Sequence, residues 1–368
     1  MANILDYIDW RGDVPFSLDP FNEVDNLVFA QMAYVQLDGI LDEEGCIAPE
    51  EAVEAFFKRY TREEVEEDRL RHKSAPFLLE KAARAPRYRG MKLKHYINVI
   101  DEECEAQISA VTFELPEFTY VSFRGTDNSL VGWKEDFNLS YLPETRGQGM
   151  AVEYLNRHFR DSGERLYVGG HSKGGNFAVY SSAFCDPSIR ERIVSVYSND
   201  GPGFHKGVTL SKEYAAVLPK VVSILPESTL VGTLFAGRYA HKIVRSTAEG
   251  LPQHGATTWM VERNHFVEAS GRTEASYAMD EAMTNWLGEL SPRERIFFTD
   301  VLFEVLSAHG ASSLDDFADS ALKNAAEMFT SIHALPKGKR KEFTRMIGQL
   351  LKAIHTAQKQ EKQAAAGK

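Results

Sequence analysis

The stretch YVGGHSKGGNF, residues 167–177, sets four glycines around one serine just after a short apolar run. Gly170-His171-Ser172-Lys173-Gly174 fits G-x-S-x-G, with a predicted strand before it and a predicted helix after it, the setting in which a serine is held on a sharp strand-to-helix turn. A serine at such a reversal has a strained backbone, and side chains two positions to either side would clash, so Gly170 and Gly174 stand where glycine is needed. The turn would present the Ser172 hydroxyl at the carboxyl end of a sheet and aim the Lys173 amide at a developing oxyanion. A phosphate-cradling loop would need G-x-x-x-x-G-K-[ST], whereas here the lysine directly follows the serine. The expected role of Ser172 is nucleophile, with Lys173 as an oxyanion donor and His171 orienting or packing.

A serine hydroxyl needs a histidine to take its proton, and the histidine needs an acid to hold its tautomer. On a G-x-S-x-G elbow the acid and then the histidine follow the serine in the chain, which directs the search downstream of Ser172. It admits His205, His241, His254 and His265 as bases; His254 and His265 both follow the last predicted strand. Two acids suit the order. Asp200 ends the predicted strand IVSVYSN and opens DGPGF, where Gly201 and Gly203 let the backbone bend close to a site. Glu227 follows the next strand, KVVSILP.

The elements that must position these residues form an alternating pattern. AQISAVTFEL and FTYVSFRG read as a β-hairpin turning at Pro116. RLYVGG, RIVSVYSN, KVVSILP and HKIVRST then alternate with helix-like segments, which argues for a mostly parallel sheet flanked by helices. The first hundred residues read mostly as helix, EVDNLVFAQMAYVQLDGI having apolar positions near a 3.6-residue period. Beyond residue 275 the sequence is helical again, with Ser291-Pro292 and Glu294 as an N-cap start and a polar tail, KQEKQAAAGK, expected to fray. The expected units are a helical segment at 1–105, an α/β core at 106–275 and a helical segment at 276–368, together one compact body.

GGHSKGGNFAVY and SFRGTDNSLVGWKEDF resemble the α/β-hydrolase fold, in particular its class 3 lipase branch. That branch has an F-R-G-[ST] strand end, a W-x-x-D motif and a G-H-S-x-G elbow. With NDGPGF, PESTLVG and QHGATTW, the set more closely resembles a bacterial Mbeg-like family of hydrolases of unknown function, over about residues 18 to 310. The resemblance implies an α/β-hydrolase fold and makes Thr126, after F-R-G, the second oxyanion donor. It implies that Trp133 and Asp136 anchor a loop, and that the segment Asn128 to Val131 lies near a mobile lid. It favours His254, in the Q-H motif, while the H-[LF]-like pair of class 3 lipases keeps His265 as the alternative base. The D-G-P-G-F motif favours Asp200, whereas class 3 lipases draw their acid from the following loop, so Glu227 remains the alternative acid. Arg124 and Asp127 are expected to form a structural ion pair.

The 368 residues are 43% hydrophobic and 26% charged, ordinary for a globule able to bury a large core. A formal net charge of −11 disfavours nonspecific binding to nucleic acid. Cys46, Cys104 and Cys185 are odd in number and far apart, suggesting neither a disulfide framework nor a metal knuckle. The N-terminus MANILDYIDWRGD lacks a signal-peptide pattern and no window is long and apolar enough for a transmembrane segment, so a cytoplasmic location is expected. These readings converge on a serine hydrolase that cleaves a carboxylic ester, a small-molecule or lipid substrate, without metal or organic cofactor. A thioesterase, peptidase or acyltransferase would use the same constellation. The contrasting expectation is an inactive hydrolase fold that serves as a binding module.

Overall fold

The computed structural model describes residues 1–67, 74–127, 129–235, 237–308 and 321–366. Among these, a single large sheet runs in the spatial order β1 (Cys46–Ile47), β2 (Lys92–Asp101), β3 (Ala106–Glu114), β4 (Thr119–Phe123), β5 (Leu166–His171), β6 (Ile193–Asn199), β7 (Val221–Pro226) and β8 (His241–Val244). β1 to β4 pair antiparallel, and from β4 to β8 every pairing is parallel. The β3–β4 pair is the hairpin expected at Pro116. The parallel strands are short and almost continuously apolar because both faces of the sheet are covered.

One face carries the N-terminal helices α1 (Ile4–Arg11), α2 (Glu23–Met32), α3 (Pro49–Arg59), α4 (Arg62–Glu67) and α5 (Ser74–Arg84). Their core joins Leu27, Val28 and Phe29 of α2 to Phe113 and Tyr120 of the sheet. α2 begins with a capping box in which Asn22 and Asp25 satisfy each other's backbone donors. Across the sheet lie α6 (Leu130–Asn138), α7 (Arg146–Phe159), α8 (Lys173–Phe184), α9 (Pro187–Arg192), α10 (Lys206–Thr209) and α11 (Lys212–Val217). A second core there packs Leu155, Phe177 and Tyr214 against Phe123, Val168 and Val196. The result is the α/β-hydrolase fold: a mostly parallel sheet between helical layers, with helical ends.

The C-terminal helices α12 (Glu274–Glu289), α13 (Pro292–Ser307), α14 (Ala321–Ala334) and α15 (Lys337–Ala366) build a third core around Trp286, Phe298, Phe343 and Met346. Phe137 of α6 packs against this core and so joins it to the sheet. Ser291 and Glu294 form the capping box that starts α13, as their spacing predicts.

Two sequence expectations need correction. The sheet begins before residue 106: β2 lies inside the segment expected to be helical. Its alternation is broken by a bulge between Lys94 and Ile97, where His95 has φ 55°, so the strand lacks the clean two-residue period that identifies one. The polar tail continues α15 as far as Ala366 rather than fraying, in keeping with the strong helix propensity of its Gln, Glu, Lys and Ala residues.

Candidate active site

Because neighbouring strands in the parallel part of the sheet are also consecutive in sequence, their carboxyl ends bring three loops side by side. Phe123 pairs with Gly170, and His171 with Asn199. Thr126, Ser172 and Asp200 therefore lie just beyond adjacent strand ends, with strands about 4.8 Å apart.

Ser172 has φ 59° and ψ −134° and stands at the N-cap of α8. Its amide donates to Asn199 O at 2.9 Å, and its carbonyl accepts from Gly175 N at 2.9 Å, closing the elbow. The flanking glycines are needed for space. A Cβ on Gly170 would lie 2.4 Å from backbone atoms of Gly174 and Phe123, and one on Gly174 would lie 2.0 Å from Phe123 O. Lys173 opens α8, so its amide belongs to the first helical turn, where N–H groups lack intrahelical acceptors. Its side chain turns away into the protein and donates to Glu135 Oε2 at 3.0 Å, both side chains being fully buried. Glu135 also accepts from Gln107 N and Gly147 N, which fastens α6 to the elbow.

The loop after β4 packs directly on Ser172: a Cβ on Gly125 would come 2.9 Å from Ser172 Cβ. Thr126 Oγ1 donates to Asp136 Oδ2 at 2.5 Å, so the threonine hydroxyl is held by α6. Burial pushes the Asp136 carboxyl up to about 6, while the nearby Lys173 charge acts in the opposite direction. Arg124 pairs with Asp127 at 3.3 Å and also donates to Asn98 Oδ1. Ser129 caps α6 by accepting from Gly132 N. Of the segment expected near a lid, Asn128 lies outside the described residues, and Leu130 and Val131 belong to α6.

Asp200 is fully buried and has φ 49°. Its Oδ2 is 2.7 Å from His254 Nδ1, while its Oδ1 accepts from Gly232 N at 3.1 Å and from the Thr229 hydroxyl. With the imidazole N–H these donors suit an ionised carboxylate, for which each such bond contributes about 1.5–3 kcal/mol. The Gly201 site explains the glycine after this acid, since a Cβ there would lie 2.9 Å from Ser172 O. Asn176 of α8 holds the turn by donating to Pro202 O and Gly203 O.

His254 ends a one-turn helix, Leu251–His254, in the loop after β8. Gln253 pins this loop: its side chain accepts from Ser228 N at 2.8 Å and donates to Ala248 O at 3.0 Å. The alternative residues stand elsewhere. His265 is exposed on a small hairpin, its Nδ1 3.1 Å from Phe266 O. Glu227 bridges β8 and the segment before α12 through its backbone, its amide donating to Val244 O and its carbonyl accepting from Thr273 N. His205 caps α10, and His241 meets Ser223 Oγ at 2.9 Å.

Ser172, His254 and Thr126 line one cavity of about 430 Å³. Its floor is polar, and its roof comes from Met283, Trp286 and Leu287 of α12 with Leu290 and Phe298 beyond. Trp133 and Asp136, both in α6, line the cavity as well. Arg295 ties roof to floor by donating to Leu287 O and Ser140 O. Among the described residues no group of three or more His, Cys, Asp or Glu could hold a metal ion.

The sequence matches the Mbeg1-like family over residues 82–304. The chain belongs to the Mbeg1-like family. In this member the matched span runs from the end of α5 through β2 to β8 and on to α13, and so includes both the elbow and the cavity roof. No curated protein matches the chain. Among solved structures, M37 lipase is similar at 12% identity over 57% of this chain and 68% of that one, with a TM-score of 0.32. No helix among the described residues is long and apolar enough to cross a membrane.

Sequence reasoning did not single out Tyr34, Thr229, Gly232, Gln253 or the roof residues. Thr229 and Gly232 lie in PESTLVG and Gln253 in QHGATTW, both noted motifs, but which groups meet Asp200 or hold the loop of His254 depends on loop conformation. Tyr34 carried no motif, and its role depends on a contact across 137 residues of sequence.

Proposed function

We propose that this chain is a serine hydrolase that cleaves a carboxylic ester with an apolar acyl part. The observation that carries the reading is the 2.7 Å contact of His254 Nδ1 with buried Asp200, His254 sharing a cavity with a serine on a strained, glycine-flanked elbow.

Ser172 Oγ attacks the ester carbonyl carbon while His254 Nε2 takes the hydroxyl proton, and Asp200 stabilises the imidazolium. The carbonyl oxygen becomes an oxyanion that accepts from the Lys173 and Thr126 amides. Collapse of the tetrahedral intermediate breaks the bond to the alcohol oxygen, which receives the proton from His254. Water, deprotonated by His254, then attacks the acyl-enzyme, and the acid is released as Ser172 regains its proton. The apolar roof supports an ester whose acyl group avoids water, since pockets of about 300–1,000 Å³ with a few polar groups suit small ligands.

The test is fluorophosphonate labelling with identification of the modified residue, followed by turnover of p-nitrophenyl esters. Labelling at Ser172 that is lost in Ser172→Ala is expected. Asp200→Asn should lower kcat by about 10²–10⁴-fold, as loss of a triad acid does, while Glu227→Gln retains activity. The reverse ranking would make Glu227 the acid. A folded protein that neither labels nor turns over an ester favours the binding module.

A further inference from the structure

We propose that His171, the residue before the nucleophile, is a positioning residue that suspends the backbone of His254 and, through Tyr34, the Gly125 turn from one imidazole ring. The proposal rests on the serine hydrolase reading above.

His171 ends β5 and is 2% exposed. Its Nε2 lies 2.7 Å from His254 O, and its Nδ1 lies 3.0 Å from the Tyr34 hydroxyl. A carbonyl oxygen can only accept, so Nε2 carries the hydrogen. The Tyr34 hydroxyl accepts from Gly125 N at 3.2 Å and can turn its own proton toward Nδ1. The neutral Nε2–H tautomer, assigned from the network, satisfies all three bonds. Burial pushes the His171 pKa down to about 3, so the ring stays neutral where this tautomer is needed.

The result is one continuous chain from Gly125 N–H through Tyr34 and His171 to His254 C=O, joining the three loops that meet at Ser172. At the Gly125 end, a Cβ would lie 2.2 Å from Tyr34 Oη, so the hydroxyl fills the space that the missing side chain leaves. Thr126, the expected oxyanion donor, is the next residue. At the other end, His254 has its imidazole oriented by Asp200 and its carbonyl held by His171, whose ring centroid is 4.6 Å from that of His254. The side-chain bond sets rotation of the base and the backbone bond sets its distance from the elbow. With both ring nitrogens engaged, His171 acts through His254 rather than as a base itself.

A shift of about 1 Å in a catalytic group can cost about 10²-fold in rate. His171→Phe should therefore lower kcat by about 10²-fold per fluorophosphonate-titrated site with little change in KM. His171→Gln, which keeps an N–H donor at similar reach, should recover most of that loss. Tyr34→Phe, which removes only the hydroxyl, should lower kcat by less. A purely structural role would reduce the melting temperature and the number of titrated sites while leaving kcat per site unchanged.

Unchanged kcat per site in His171→Phe overturns the proposal, as does His171→Gln as impaired as His171→Phe. If His171→Phe does not fold, wild-type kcat per titrated site in Tyr34→Phe overturns it. A wild type that the probe does not label overturns the hydrolase reading and this proposal together. A labelled wild type with kinetically silent variants overturns this proposal alone.

Discussion

Asp136 shows how one residue can serve the site and tax the fold. It holds the Thr126 hydroxyl, yet burial raises its pKa from 3.8 to about 6. Between these values the unfolded chain has released a proton that the folded chain retains, so folding stability falls as pH rises through this window and then levels off. Asp136→Asn keeps an acceptor for Thr126 and does not titrate. Urea unfolding at pH 4 and pH 7 is expected to show wild type losing stability relative to Asp136→Asn over that interval. A constant difference between the two proteins would refute a raised Asp136 pKa. The same scale holds the most legible part of the site: Ser172 and its glycines were readable because the elbow's steric demands act within a few residues. The hydrogen on His171 Nε2 was not, because its acceptor is His254, 83 residues away.

Helices and strands become a site through the joints between them. The buried pair of Lys173 and Glu135 connects the start of α8 to α6, and Glu135 also accepts from Gly147 N at the start of α7. Removing one member of a buried pair leaves an uncompensated charge, at a cost of about 3–5 kcal/mol. Lys173→Met should destabilise by that amount in a denaturant titration, although the amide proposed as oxyanion donor survives. A loss below about 1 kcal/mol would mean that the amide donors to Glu135 carry its charge alone. The strands β5 to β8 and the hairpin were legible because short apolar runs bounded by turn residues mark buried strands. β2 was obscured because its bulge interrupts the period.

For the whole molecule, the decisive arrangement is the C-terminal bundle over the sheet's carboxyl edge. α12 and α13 supply the apolar roof, and Trp286 packs edge-on to Phe298 at 5.2 Å while donating to Met346 O. The roof should therefore limit the length of the acyl group. Met283→Trp, which adds bulk beneath it, is expected to lower turnover of long-chain p-nitrophenyl esters by about tenfold relative to acetate, two lost methylene sites being worth about 0.8 kcal/mol each. Equal losses at every chain length would show that the acyl group does not reach α12. The helices themselves were readable from their caps and apolar period, but their docking over Ser172 was not.

The sequence alone determined the elbow, the order of the parallel strands' motifs, and the pools from which base and acid could come. These follow from steric and periodic rules that operate within one element. Only the tertiary structure brought His254 against Asp200 across 54 residues, sent Lys173 inward to Glu135, and set the C-terminal helices over the cavity. Such choices depend on where loops close and which faces bury each other, and their energies arise between segments that no local pattern connects.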